Sequence, residues 1–124
     1  MERRDGLSNI DLDVVASFIA ARRIELEARG LTVAQPTWMD LDAPWPAPLV
    51  TDPTQIGRAR SIGVRFCGDA DAEGLIVVYA GGWADVDYVL PGGDVLKSEY
   101  VELNDARDFE PLLMRVCTRL LRAG

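Results

Sequence analysis

The chain of 124 residues has the length of one ordinary domain, and its 48% hydrophobic and 27% charged residues exclude wholesale disorder and collagen-like repeats. At this length roughly two thirds of the unfolded surface can be buried, so the two cysteines are not needed as a disulfide framework. With no histidine, Ser-His, Cys-His and His-metal arrangements are excluded within one chain, and a net charge of −7 disfavours nucleic acid and anionic lipid as partners.

No run approaches the ~18 apolar residues of a membrane span, and the polar start MERRDGLSNIDLD lacks the apolar region of a secretory signal. The expected compartment is the cytoplasm. The first element is a helix over residues 8–30, with Ser8 as N-cap, Asp11 three residues on, and Gly30 as the stop. Val15, Phe18, Ile19 and Leu26 form its apolar stripe, widened by Ile10, Leu12, Val14 and Ile24. Residues 31–60 then carry Pro36, Pro44, Pro46, Pro48 and Pro53, which forbid a long helix and bias their neighbours toward extended backbone. Trp38, Met39, Leu41, Trp45 and Leu49 make this connection too apolar for a free linker, so it is expected to lie across the core.

Residues 61–103 read as a β-meander. Ile62, Val64 and Phe66 alternate with Gly63 and Arg65 in a half-buried strand, and LIVVYA at 75–80 is the apolar run of a central strand. Gly81 and Gly82 mark a tight hairpin with positive φ angles, after which WADVDYVL alternates again up to the turn Pro91-Gly92-Gly93-Asp94. The segment 95–103 is a weaker, edge-like strand with Lys97, Glu99 and Glu102 as edge charges. A closing helix over 104–122 is capped by Asn104 or Asp105. It buries Phe109, Leu112, Leu113, Val116, Leu120 and Leu121, and carries Arg115, Arg119 and Arg122 toward its end. The expected fold is α+β in two layers: an antiparallel meander of three to four strands covered on one face by an N-terminal and a C-terminal helix.

Candidate chemistry is sparse. Asp69, Asp71, Glu73 and Gly74 imitate the first half of a calcium loop, but the twelfth position, where a bidentate Glu is required, is Ala80. A polar hairpin loop accounts for the same residues, and no metal or cofactor is expected. Cys67 and Cys117 are not in a C-x-x-C motif and read as free thiols. The distribution of acid says more: residues 61–110 hold 3 basic and 11 acidic side chains, so the negative excess belongs to the meander and the start of the last helix. Alternation in WADVDYVL puts Ala84, Val86, Tyr88 and Leu90 on one face and Trp83, Asp85, Asp87 and Val89 on the other. If the first set meets the helices, an aromatic anchor and two carboxylates line the open face, a composition suited to a basic partner. An acidic surface kept for solubility accounts for the charge equally well.

The order strand, acidic loop, LIVVYAGGWADVDYV, GGDVLKSEYVELND and the helix ARDFEPLLMRVCTRLL resembles small bacterial immunity proteins of polymorphic toxin systems, in particular the TriTu immunity family. The resemblance spans roughly residues 60–121. It is carried by Gly82, Asp85 and Asp87 at the hairpin, by Glu99, Tyr100 and Leu103, and by the acidic helix start. It implies a non-enzymatic cytoplasmic protein, monomeric or weakly dimeric, that binds one cognate toxin and covers its active site. On this reading the contact residues are Trp83, Asp85, Asp87, Glu99 and Glu102, with the face presented by the fourth strand left open. Two other classes stand beside it: a ligand-binding domain or small enzyme with a pocket between the Pro/Trp segment and the sheet, and a subunit of a larger assembly.

Overall fold

The computed structural model describes residues 10–93 and 95–121; Ser8, Asp94 and Arg122 therefore lie outside the described residues. Helix α1 spans Leu12–Ala28 and is capped by Asp11, whose carboxylate accepts from the Asp13 amide. It ends where Gly30 takes φ +112°, a value that favours glycine. Leu12, Val15, Ile19 and Leu26 are buried on the sheet, but Ile24 is 81% exposed, contrary to its expected place in the stripe. At roughly 100° per residue Ile24 lies about 200° from Leu26, on the far side of the helix.

Three short strands follow: β1 (Thr32–Val33), β2 (Thr37–Asp40) and β3 (Leu49–Val50). The meander is β4 (Ala59–Cys67), β5 (Glu73–Tyr79), β6 (Trp83–Val89) and β7 (Lys97–Glu102), and α2 (Phe109–Leu121) closes the chain. The sheet has seven strands in the order β3-β2-β4-β5-β6-β7, all neighbouring pairs antiparallel, with β1 also on β4. The two-layer α+β arrangement is as expected, but the meander is the larger part of a wider sheet. The connection 31–60 supplies the extra strands. β1 and β2 together form one interrupted strand along β4, joined through the Ala34 amide, which donates to the Arg65 carbonyl at 2.9 Å. The interruption falls at Pro36, which has no amide hydrogen to offer the ladder.

One apolar core lies between the sheet and the two helices. Ile62, Val64 and Phe66 from β4, Ile76 and Val78 from β5, and Ala84, Val86 and Tyr88 from β6 meet Phe109, Leu112, Leu113, Val116 and Leu120 of α2. Trp38 joins them at 4% exposure, as expected for a segment lying across the core, whereas Trp45 is 79% exposed and does not. The entry to α2 is a single 3-10 turn, Ala106–Asp108, held by a reciprocal capping box between Asp105 and Asp108. Among the described residues, no helix is long and apolar enough to cross a membrane.

Candidate functional site

Both helices cover the same face of the sheet, so the side chains of the other parity along β4 to β7 point away from the core. Direct antiparallel partners share a face. The register aligns Met39, Ser61, Tyr79, Trp83 and Glu102 in one row across the open face, and Thr37, Gly63, Val77, Asp85 and Tyr100 in the next. A third row runs Arg65, Leu75, Asp87 and Ser98. The alternation expected for β6 holds: Ala84, Val86 and Tyr88 are buried, while Trp83, Asp85 and Asp87 are half-buried on the open side.

The hairpin between β5 and β6 positions the aromatic end of this face. Gly82 turns the chain with φ +110°, and its amide donates to the Tyr79 carbonyl at 3.0 Å. Gly81, which does not share that positive φ, serves differently: a Cβ there would overlap the Trp83 ring. Free of that clash, Trp83 stacks on its cross-strand partner Tyr79, with ring centroids 4.9 Å apart and planes 16° from parallel. Burial, and then the negative charge of Asp85 and a hydrogen bond to it, push the Tyr79 hydroxyl pKa up. Asp87 accepts a hydrogen bond from Ser98 Oγ at 2.6 Å. Among the described residues neither Asp85 nor Asp87 has an ion-pair partner, while Arg65 on the same face faces Glu73 at 3.9 Å.

Of the five sequence candidates, Trp83, Asp85, Asp87 and Glu102 are brought together on this face, with Glu102 directly opposite Trp83. Glu99 is the exception. It pairs with Val86 and therefore points to the helix side, where Arg115 Nη1 donates to it at 2.9 Å and Arg119 Nη1 at 3.3 Å. Arg119 also donates to the Tyr88 hydroxyl at 2.6 Å, and its guanidinium carbon lies 5.8 Å from the centre of that ring. Burial opposes ionisation of Glu99, but the hydrogen bonds and charges of Arg115 and Arg119 outweigh it and hold the carboxyl below its ordinary range. Glu99 fastens α2 to β7 and leaves the candidate contact set.

Residues outside the five sequence candidates complete the face. Tyr79 and Tyr100 add aromatic surface beside the carboxylates, Tyr100 at 59% exposure, and their strand parity was the available signal. Next to them is a shallow depression of ≈220 Å³, floored by Gly63 and walled by Leu49, Thr37, Leu75 and Val77. This is the region between the Pro/Trp segment and the sheet where a ligand pocket was the alternative. Neither Trp38 nor Trp45 lines it, and no carboxylate does.

The acidic loop between β4 and β5 is a tight turn in which Ala70 and Asp71 both take positive φ and the Ala72 amide donates to the Asp69 carbonyl at 3.0 Å. Among the described residues, no group of three or more His, Cys, Asp or Glu side chains is placed to hold a metal ion. Cys67 is exposed and Cys117 buried, and burial pushes the Cys117 thiol up to about 12 despite the opposing charge of Arg29. Comparison of the chain with protein-family models, with curated proteins and with solved structures finds no match.

Proposed function

We propose that this protein is a non-catalytic binding module that neutralises a basic protein toxin by laying the open face of its sheet over the toxin's active site. The observation that carries the reading is the juxtaposition of the stacked Tyr79 and Trp83 with Asp85 and Asp87, carboxylates that lack ion-pair partners among the described residues. Aromatic rings supply desolvated contact area at low entropy cost, and fixed charge beside them selects and steers a partner of opposite sign. The resemblance to TriTu immunity proteins points to the same class, since three of its marker residues, Asp85, Asp87 and Tyr100, are part of this face. Cytoplasmic action on a cognate toxin belongs to the same proposal.

A site for turnover of a small substrate has less support. The depression beside the carboxylates is smaller than the ~300 Å³ at which drug-sized sites begin, and no carboxylate lines it. The test is co-expression with the product of the adjacent open reading frame, scoring growth rescue and co-purification across a salt series. Rescue by a complex that weakens as salt rises is the expected result. A toxic neighbour that this protein neither binds nor relieves would remove the proposal.

A further inference from the structure

The depression over Gly63 and the carboxylates of β6 lie in adjoining parts of one face. Leu49, Leu75 and Val77 wall the depression, and the row through Gly63 and Val77 continues to Asp85. At ~4.8 Å between neighbouring strands, the floor at Gly63 and the carboxylate of Asp85 are about 10 Å apart. Ser61 lines the same depression at 3% exposure, and its hydroxyl has no hydrogen-bond partner among the described residues. A buried hydroxyl left unpaired calls for a partner group from whatever fills the space above it. Arg65, the charged residue on the rim, lies 3.9 Å from Glu73 in an exposed pair, while Asp85 and Asp87 place negative charge on the strand beyond Leu75 and Val77.

We propose that the depression over Gly63 seats an aliphatic side chain of an extended basic segment of the partner protein, with a lysine or arginine two residues away reaching Asp85 and Asp87. In an extended chain, residues two apart point the same way and lie about 6.8 Å from one another. The long stem of lysine or arginine covers the rest of the span, and a backbone group of the segment meets the Ser61 hydroxyl. The wall chemistry sets the apolar half of this requirement and the charge of β6 the basic half. A second copy of this chain is a poor occupant, because its net charge is −7. The inference rests on the binding role proposed above and names what the partner must present.

Three capped pentapeptides test it by ¹⁵N chemical-shift titration at low salt: Lys-Ser-Leu-Ser-Lys, Lys-Ser-Ser-Ser-Lys and Glu-Ser-Leu-Ser-Glu. The first should move the amides of 61–65, 75–79 and 83–87 and bind about tenfold tighter than the second, the return on burying one leucine. The third should not bind. Val77→Trp, which fills the depression, should reduce the leucine peptide to the level of the serine peptide, and Asp85→Asn should weaken both basic peptides. Gly63→Ala is a milder second variant, since its Cβ would meet Thr37 Oγ1 at 3.3 Å and Val77 Cγ2 at 3.5 Å, and it should act in the same direction. Equal binding of the two basic peptides to this face would overturn the depression's role and leave the acidic face standing. Shifts confined to another surface, or none with any basic peptide, would overturn both.

Discussion

Glu99→Gln removes the charge from the cluster that ties α2 to the edge strand. Glutamine keeps the shape and one acceptor oxygen, but its amide NH2 takes the place of the other oxygen and cannot accept from an arginine, so the carboxylate charge and one acceptor are lost together. Two ion pairs at 2.9 and 3.3 Å are involved, between side chains that are 27% exposed for Glu99 and 38% and 41% for the arginines. A pair near 3 Å is worth about 1.4 kcal/mol in a water-like dielectric. Solvent screening and side-chain ordering bring this to ~0.5–1 kcal/mol per pair. The variant should therefore lose ~1–2 kcal/mol at neutral pH, a fall in Tm of about 4–8 °C for a domain of this size. Because folding lowers the Glu99 pKa, the stabilisation is fully present above the unfolded carboxyl value of ~4.3. It disappears as pH falls through the lower folded value. Thermal melts of both proteins from neutral to strongly acidic pH should converge at the acidic end, and high salt should narrow the neutral-pH gap. Equal Tm at pH 7, or a deficit that persists unchanged in strong acid, would refute the assignment of Glu99 as a charge clamp.

Three further outcomes follow from the same geometry. Asp85→Asn with Asp87→Asn keeps the acceptor for Ser98 and relieves a repulsion of about 0.6 kcal/mol between carboxylates ~7 Å apart, so Tm should stay within a few degrees. Affinity for the partner, measured by calorimetry, should drop roughly a hundredfold at ~1.5 kcal/mol per charge pair, and an unchanged affinity would remove this face from the argument. Trp38→Ala should cost ~3–5 kcal/mol in denaturant unfolding, whereas Trp45→Ala should stay within about 0.5 kcal/mol; similar losses would mean that the Pro-rich segment packs differently. In the native protein a thiol reagent should titrate Cys67 promptly and Cys117 only after unfolding, and fast reaction of both would contradict the burial of α2.

The legible parts of the fold are those where periodicity had length to act. β4, β5 and β6 run for 9, 7 and 7 residues, and along β5 and β6 the alternation in the sequence is the alternation of burial; in β4 it sets the faces, although Ser61 and Gly63 on the open side are buried as well. β1, β2 and β3 are 2, 4 and 2 residues long, too short to show a period, and they exist through pairing with a distant strand, as in Trp38 opposite Ile62. No local pattern carries that information. Glu99 and Glu102 show a different failure. They are an odd number of positions apart on one strand, so a regular strand sends them to opposite faces and only one of them can stand beside Trp83. The segment 95–103 has apolar residues of both parities, Val101 and Leu103 against Leu96 and Tyr100, and its register against β6 makes the choice.

The charge ledger of the folded chain also bears on what the open face can do. Arginine after arginine is matched to an acid within the structure: Arg22 to Glu25 and Glu110, Arg58 to Asp42, Arg65 to Glu73, and Arg115 and Arg119 to Glu99. Among the described residues Asp85 and Asp87 have no ion-pair partner, so part of the acidic surplus is left on this face, where Arg60 is close enough for its charge to act on Tyr79. That surplus lies beside stacked aromatic rings and an apolar depression rather than spread over the helices. A charge kept for solubility alone has no reason to sit beside half-buried apolar side chains, because solvation is better elsewhere. Concentrated beside an apolar surface, the same charge draws in a basic partner while the rings and the depression hold it. Salt should therefore slow association more than it hastens release, and loss of Trp83 should do the reverse.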